Sequence, residues 1–196
     1  KLLVDYSFEE NDLQLLTFLI DKLSNRIINF LKDYCYDLSI KNISISEDII
    51  KILIKNELDF NPTSFSSSHK IGIFNNYLLK KNREMIVKLV KCGININLQL
   101  NSSIILYEIM ECMKSDGWNF EIEHIKILLE SGADFCFIDG NGYNAFHIVL
   151  SLNSYYNQNY LLKNQFIILS MLLDSFNSFK NKDYTCHPLK ILNKNN

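Results

Sequence analysis

Four histidines and five cysteines are the groups in this chain best suited to ligating a metal or to nucleophilic chemistry. A zinc site draws two ligands from one short stretch, a few residues apart, so that both converge on a single ion. His69, His124, His147 and His187 have no such spacing to one another or to Cys35, Cys92, Cys112, Cys136 and Cys186, and no Cys-x-x-Cys pair occurs. The nearest approach to a nucleophile with its base is Cys186-His187. Chain neighbours rarely aim at one another, and no Asp or Asn is placed to orient the imidazole, so a thiol enzyme does not follow. The odd cysteine count and wide spacing read as reduced thiols in a cytosolic compartment, behaving as small hydrophobes. Cys136, in a loop, is the one expected to be most open to reagents. Neither bound zinc nor a change of gel migration with reductant is expected.

Other constellations fail in the same way. Asp139-Gly140-Asn141-Gly142 begins like a calcium loop, but Asn144 and Leu150 stand where that loop needs Gly and Glu. Six glycines are too sparse for a phosphate-cradling or dinucleotide turn. Carboxylates such as Glu9-Glu10 and Glu121 with Glu123 read as solvated helix starts, where negative charge suits the macrodipole. The sequence therefore implies no catalytic residue, no cofactor and no metal.

The composition narrows the partners. With 20 basic and 22 acidic residues the formal charge is −2, and neither sign is gathered into a run that would neutralise a phosphate backbone or dock on anionic lipid. Apolar runs stop short of the roughly 18 residues a membrane span needs. No signal-peptide pattern follows Lys1. At 196 residues and 47% hydrophobic content the chain is expected to form one domain, 1–196, in the cytoplasm, with a protein as its partner and neither nucleic acid nor membrane.

The elements show themselves through a repeat. Leu15-Leu16 and Phe18-Leu19-Ile20 recur as Ile49-Ile50 and Ile52-Leu53-Ile54 after a shift of 34. A shift of 36 then reaches Ile86, Leu89 and Val90, another of 39 reaches Ile125, Leu128 and Leu129, and another of 44 reaches Leu169, Leu172 and Leu173. Apolar residues at i, i+3 and i+4 make one helical stripe, so each copy predicts an amphipathic helix. Shorter apolar segments around 25–37, 68–80, 103–114 and 143–152 predict a second helix per copy. The fold class is all-α, built from stacked antiparallel helix pairs.

The copy Ile125-Lys126-Ile127-Leu128-Leu129-Glu130-Ser131-Gly132-Ala133-Asp134, followed by Asp139-Gly140-Asn141-Gly142-Tyr143-Asn144-Ala145-Phe146-His147, resembles the ankyrin repeat. The resemblance covers roughly residues 10 to 192 as four to five divergent copies. Gly132 stands where a helix ends in a left-handed residue, Asp134 or Asp139 can accept from backbone donors in the turn, and Gly140 and Gly142 mark a tight reversal. Gly93 keeps the helix-ending position, whereas Glu57 and Phe176 replace it in other copies. The resemblance implies an ankyrin solenoid with finger loops near 57–67, 93–102, 132–142 and 176–184. It also implies a His147 that hydrogen-bonds within its own turn.

Such a solenoid binds through a concave face made of finger tips and inner helices. The fingers are expected to expose Phe60, Phe65, Leu98, Phe135, Phe137 and Phe179, with Phe135 and Phe137 on one side of an extended segment and Tyr143 beside them. Trp118 in one insertion and Tyr155-Tyr156 in another form a second candidate surface. The divergent, Ile-, Asn- and Lys-rich repeats are similar to ankyrin proteins of poxviruses and of some intracellular bacteria. That implies a protein-binding module, and in the viral case a host-range or immune-evasion factor. The alternatives are a targeting domain of a larger effector enzyme and an immunity protein that inhibits a cognate toxin.

Overall fold

A computed structural model describes residues 2–65, 71–113, 120–151 and 158–179. Among these the regular elements are all helical: α1 (Leu2–Glu9), α2 (Leu13–Ile40), α3 (Glu47–Lys55), α4 (Ile73–Leu79), α5 (Arg83–Lys91), α6 (Ile105–Cys112), α7 (Ile122–Glu130), α8 (Ala145–Ser151) and α9 (Gln158–Phe179). The chain divides into two compact units, Lys1–Asn95 and Ile96–Asn196.

In the first unit α1 packs on α2, α2 on α3 and α4, α4 on α5, and α3 on α5. Of the stripes read from the sequence, Ile50, Leu53, Ile86 and Leu89 are fully enclosed, as are Phe74, Tyr77 and Met85, whereas Phe18 is exposed and Leu15 and Val90 are half-buried. Side-chain oxygens close the helix starts. Asp12 accepts from Leu15 N–H (2.9 Å), Ser46 from Ile49 N–H (3.3 Å) and Asn82 from Met85 N–H (3.0 Å), each satisfying a donor the first turn leaves orphaned.

The first copy departs from expectation. Two helices, over 15–20 and 25–37, were expected; one helical run of 28 residues covers both, yet it bends back, bringing Asn11 before it to Ser46 after it (2.5 Å) and the Phe8 ring to within 5.0 Å of Tyr34. The linking residues, Asp21-Lys22-Leu23-Ser24-Asn25-Arg26, contain neither Gly nor Pro, so the backbone stays helical between the two segments. Leu16, Ile20, Ile27, Leu31 and Cys35 then bury as one stripe. Likewise α9 continues to Phe179, where a finger near 176–184 was expected to begin.

One device ends most of these helices. The N–H of Asp12, Ile43, Leu58, Asn82, Ile94 and Ala133 each reaches back five residues, to the carbonyl of Ser7, Leu38, Leu53, Tyr77, Leu89 and Leu128, at 2.9–3.1 Å. Such a closure needs a left-handed residue just before the donor. Asn11, Asn42, Glu57, Lys81, Gly93 and Gly132 supply it, with φ between 53° and 97°. Only the last two are glycines. Glu57 is exposed and carries a Cβ penalty of about 1–2 kcal/mol there, partly offset by the freer unfolded chain that glycine would have. Glu57→Gly is therefore expected to raise the urea midpoint at unchanged m-value, a gain of up to about 1 kcal/mol.

In the second unit α6 lies beside α8, and α7 and α9 pack against each other behind them, α6 on α7 and α8 on α9. Its core holds Ile105, Leu106, Tyr107, Ile109, Met110, Ile125, Leu128, Val149 and Leu172. Leu173, read as part of the repeated stripe, is exposed.

Candidate functional site

The loops expected to present aromatics instead fold them inward. In the first unit Thr63 N–H donates to Asn75 Oδ1 (2.9 Å), Asn75 Nδ2 donates to the Thr63 carbonyl (2.6 Å) and Gly72 N–H donates to Thr63 Oγ1 (2.9 Å). These bonds tie the loop to α4, and Phe60 and Phe65 are buried rather than displayed. Their expected exposure at a finger tip does not hold.

The 132–142 loop is held in the same manner. The Tyr107 hydroxyl donates to the carbonyls of Phe135 (3.1 Å) and Phe137, and burial pushes its pKa well above the ordinary phenol range. Asp134 accepts from Cys136 N–H (2.9 Å), which turns the segment. Phe135 and Phe137 therefore do not share one side of an extended strand. Phe135 is buried with its ring edge-on to Phe146, and Phe137 is half-buried with its ring edge toward Tyr107.

What the loop does present is its tip. Asp139 Oδ1 accepts from Asn141 N–H (2.9 Å) and Tyr143 N–H (2.8 Å), Asp139 N–H donates to the Tyr143 carbonyl (2.9 Å), and Gly142 takes φ 82°. Gly140 N–H donates to the Ser102 carbonyl (2.9 Å), and a Cβ on Gly140 would lie 2.7 Å from Ser102 Cβ, so only glycine fits this approach. On the fixed tip Ile138 is 51% and Tyr143 52% exposed, while Leu98 is 37% exposed on its own loop. Sequence reading passed over Ile138, although it neighbours Phe137 and its apolar side chain was the available signal. Trp118, Tyr155 and Tyr156 lie outside the described residues.

Two histidines take structural posts. His124 Nδ1 accepts from Glu121 N–H (2.9 Å) in a reciprocal capping box at the start of α7. His147 Nδ1 sits 2.7 Å from Asn144 Oδ1, which also accepts from His147 N–H (3.3 Å), so this ring bonds within its own turn as the sequence implied.

The thiols divide. Cys136 is disulfide-bonded, which corrects three expectations: an open, reactive thiol there, reduced cysteines throughout, and migration unchanged by reductant; pairing depends on distance in space, and linear spacing does not reveal it. Cys35, Cys92 and Cys112 are free. Burial pushes the Cys35 thiol from its ordinary 9.0 up to about 12. Below pH 9 the thiol is protonated whether the chain is folded or not, and its contribution to stability is intact. As pH rises from about 9 toward 12 only the unfolded thiol ionises, so that contribution is lost. Native Cys35 is expected to resist a thiol-specific reagent at pH 8 and to react once denaturant is added, read by mass after tryptic digestion.

Among the described residues no three His, Cys, Asp or Glu side chains are grouped to hold a metal ion, and no helix is long and apolar enough to cross a membrane. No family model matches the chain, and no curated protein matches it.

Proposed function

We propose that this chain is an ankyrin-repeat interaction protein that binds another protein through the inner helices and loop tips of its repeats, and that it carries no catalytic step. The observation that carries the repeat reading is the interval at which the ending recurs, 36 residues from Glu57 after α3 to Gly93 after α5 and 39 from there to Gly132 after α7. Two relays accompany it. Asn61 Oδ1 accepts from Asn95 N–H (3.1 Å) and Asn97 Oδ1 accepts from Asp134 N–H (2.8 Å), spacings of 34 and 37 residues. Independent local solutions would have no cause to repeat at that interval, whereas stacked copies of one unit do. Among the described residues, His124 and His147 bond within helix starts and Cys35 is buried with its thiol pushed up, posts that suit a binding protein; His69, Cys186 and His187 lie outside the described residues.

A tip locked by its own hydrogen bonds, displaying Ile138 and Tyr143, suits recognition because little side-chain and loop freedom is left to lose on binding. The test is affinity capture from expressing cells with the wild-type chain and with Tyr143→Ala. A partner retained by the first and lost by the second, at equal melting temperature, supports the reading. Capture that is indifferent to Tyr143 and to the other exposed residues of this face would overturn it.

A further inference from the structure

The five cysteines divide unevenly. Cys136 is disulfide-bonded, whereas Cys35, Cys92 and Cys112 are thiols. The structure holds a single chain, so the sulfur left to complete the bond is that of Cys186, which lies outside the described residues. The Cys136 end is fixed in advance. Its N–H donates to Asp134 Oδ1 (2.9 Å), and the carbonyls of Phe135 before it and Phe137 after it both accept from the Tyr107 hydroxyl, so the backbone that carries the sulfur is pinned on both sides. A sulfur held in this way gives up little freedom on bonding, which favours closure within the chain over pairing with a second molecule. Cys136 is half-buried, in contrast to the enclosed Cys35, so a small thiol in solution can reach it. Burial raises the pKa of Cys35, Cys92 and Cys112, which disfavours the thiolates that would attack the bond and scramble the pairing. A chain that keeps three of its five cysteines as thiols is not organised as a disulfide framework, and a single bond in such a chain is of the kind that opens and closes with its surroundings.

We propose that Cys136 and Cys186 form a reversible disulfide, a redox clasp that joins the two ends of the segment holding α8 and α9 and sets how firmly those helices stay folded in the second unit. The two cysteines are 50 residues apart, and the bond removes from the unfolded chain the freedom of the whole intervening loop. On closure the two thiols give up two protons and two electrons to a small disulfide such as oxidised glutathione. One thiolate attacks that disulfide and releases a first glutathione thiol, and the second attacks the mixed disulfide so formed and releases another. The reverse exchange, with two glutathione thiols, reopens the clasp. Partner binding at the loop tip is neither used nor required by this chemistry.

The test takes the full chain equilibrated with oxidised glutathione, unfolds it in urea with iodoacetamide and digests it with trypsin. Without reductant, Cys35, Cys92 and Cys112 are expected to be alkylated, and one linked species is expected to join the tryptic peptide 127–163, which holds Cys136, to the peptide 183–190, which holds Cys186. Reducing the native chain is expected to remove that species and to lower the melting temperature by about 5–15 °C. Cys186→Ser should melt at the reduced value with or without reductant, as should Cys136→Ser, while Cys112→Ser should keep the dependence of the wild type. An alkylated Cys136, a link from it to any other peptide, or a covalent dimer overturns the pairing. A wild-type melt indifferent to reductant overturns the hold on α8 and α9. A linked species that persists in the native chain under excess reduced glutathione overturns the reversibility.

Discussion

Leu128→Ala is expected to lower the unfolding free energy by about 2–5 kcal/mol. Leu128 lies in the middle of α7, fully enclosed, and its carbonyl accepts the Ala133 N–H (3.0 Å) that closes the helix end. Removing the isobutyl group forfeits its burial and leaves a void between α6, α7 and α9 that packed neighbours fill only in part. A urea titration should show a lower midpoint. Lys126→Ala, two residues away on the exposed side, should stay within about 0.5 kcal/mol. Equal effects at the two positions would mean that the stripe does not face the core.

Phe135→Ala combined with Phe137→Ala should unfold the second unit at markedly lower temperature, with about 3–5 kcal/mol lost from Phe135 alone. A loop-tip reading of these rings would place the effect on partner affinity and leave stability untouched. The geometry reverses that, because Phe135 is buried against Phe146 and its carbonyl accepts from Tyr107 Oη (3.1 Å) and Ala145 N–H (3.3 Å), so the ring sits where the loop is fastened. Tyr143→Ala is the contrasting change, exposed and outside the core, expected to alter melting little and to cost at least about 2 kcal/mol of partner binding if Tyr143 anchors the contact. Thermal melts of the two variants side by side separate the roles.

The helical stripes were legible because burial on one face imposes a 3.6-residue period whatever the loops do. Ile50, Leu53, Ile86, Leu89, Ile125 and Leu128 are all core residues. The helix endings were legible only where glycine marks them. Glu57 and Lys81 adopt the same left-handed geometry, and their identities do not reveal it, because the pattern of reach-back bonds fixes the backbone there more strongly than residue preference does, whereas Asn42 is of a type that tolerates it. The inward aromatics were misread for a related reason. A loop residue is expected to be exposed, but Thr63 with Asn75 and Tyr107 with its two carbonyls pull their loops onto helix ends, and these long-range pairings have no local signature. The reciprocal Glu121 and His124 cap also went unread, since His is an unusual third residue for such a box. At the site, Leu98 and Tyr143 were anticipated and are exposed, whereas Ile138 emerged only from the folded tip.

The unbroken α2 bears on how separable the copies are. The 28-residue run of α2 bends back on itself, since Asn11 before it meets Ser46 after it and the Phe8 ring of α1 lies 5.0 Å from Tyr34, and it carries the contacts to α1, α3 and α4. Copies joined by loops can melt, duplicate or be excised one at a time, since each boundary crosses few bonds. Here the two helices expected for the first copy are joined by helical backbone in place of a loop. The first copy therefore has no internal loop at which its two halves separate, and the amides through the middle of α2 are expected to exchange with solvent only when that copy opens as a whole.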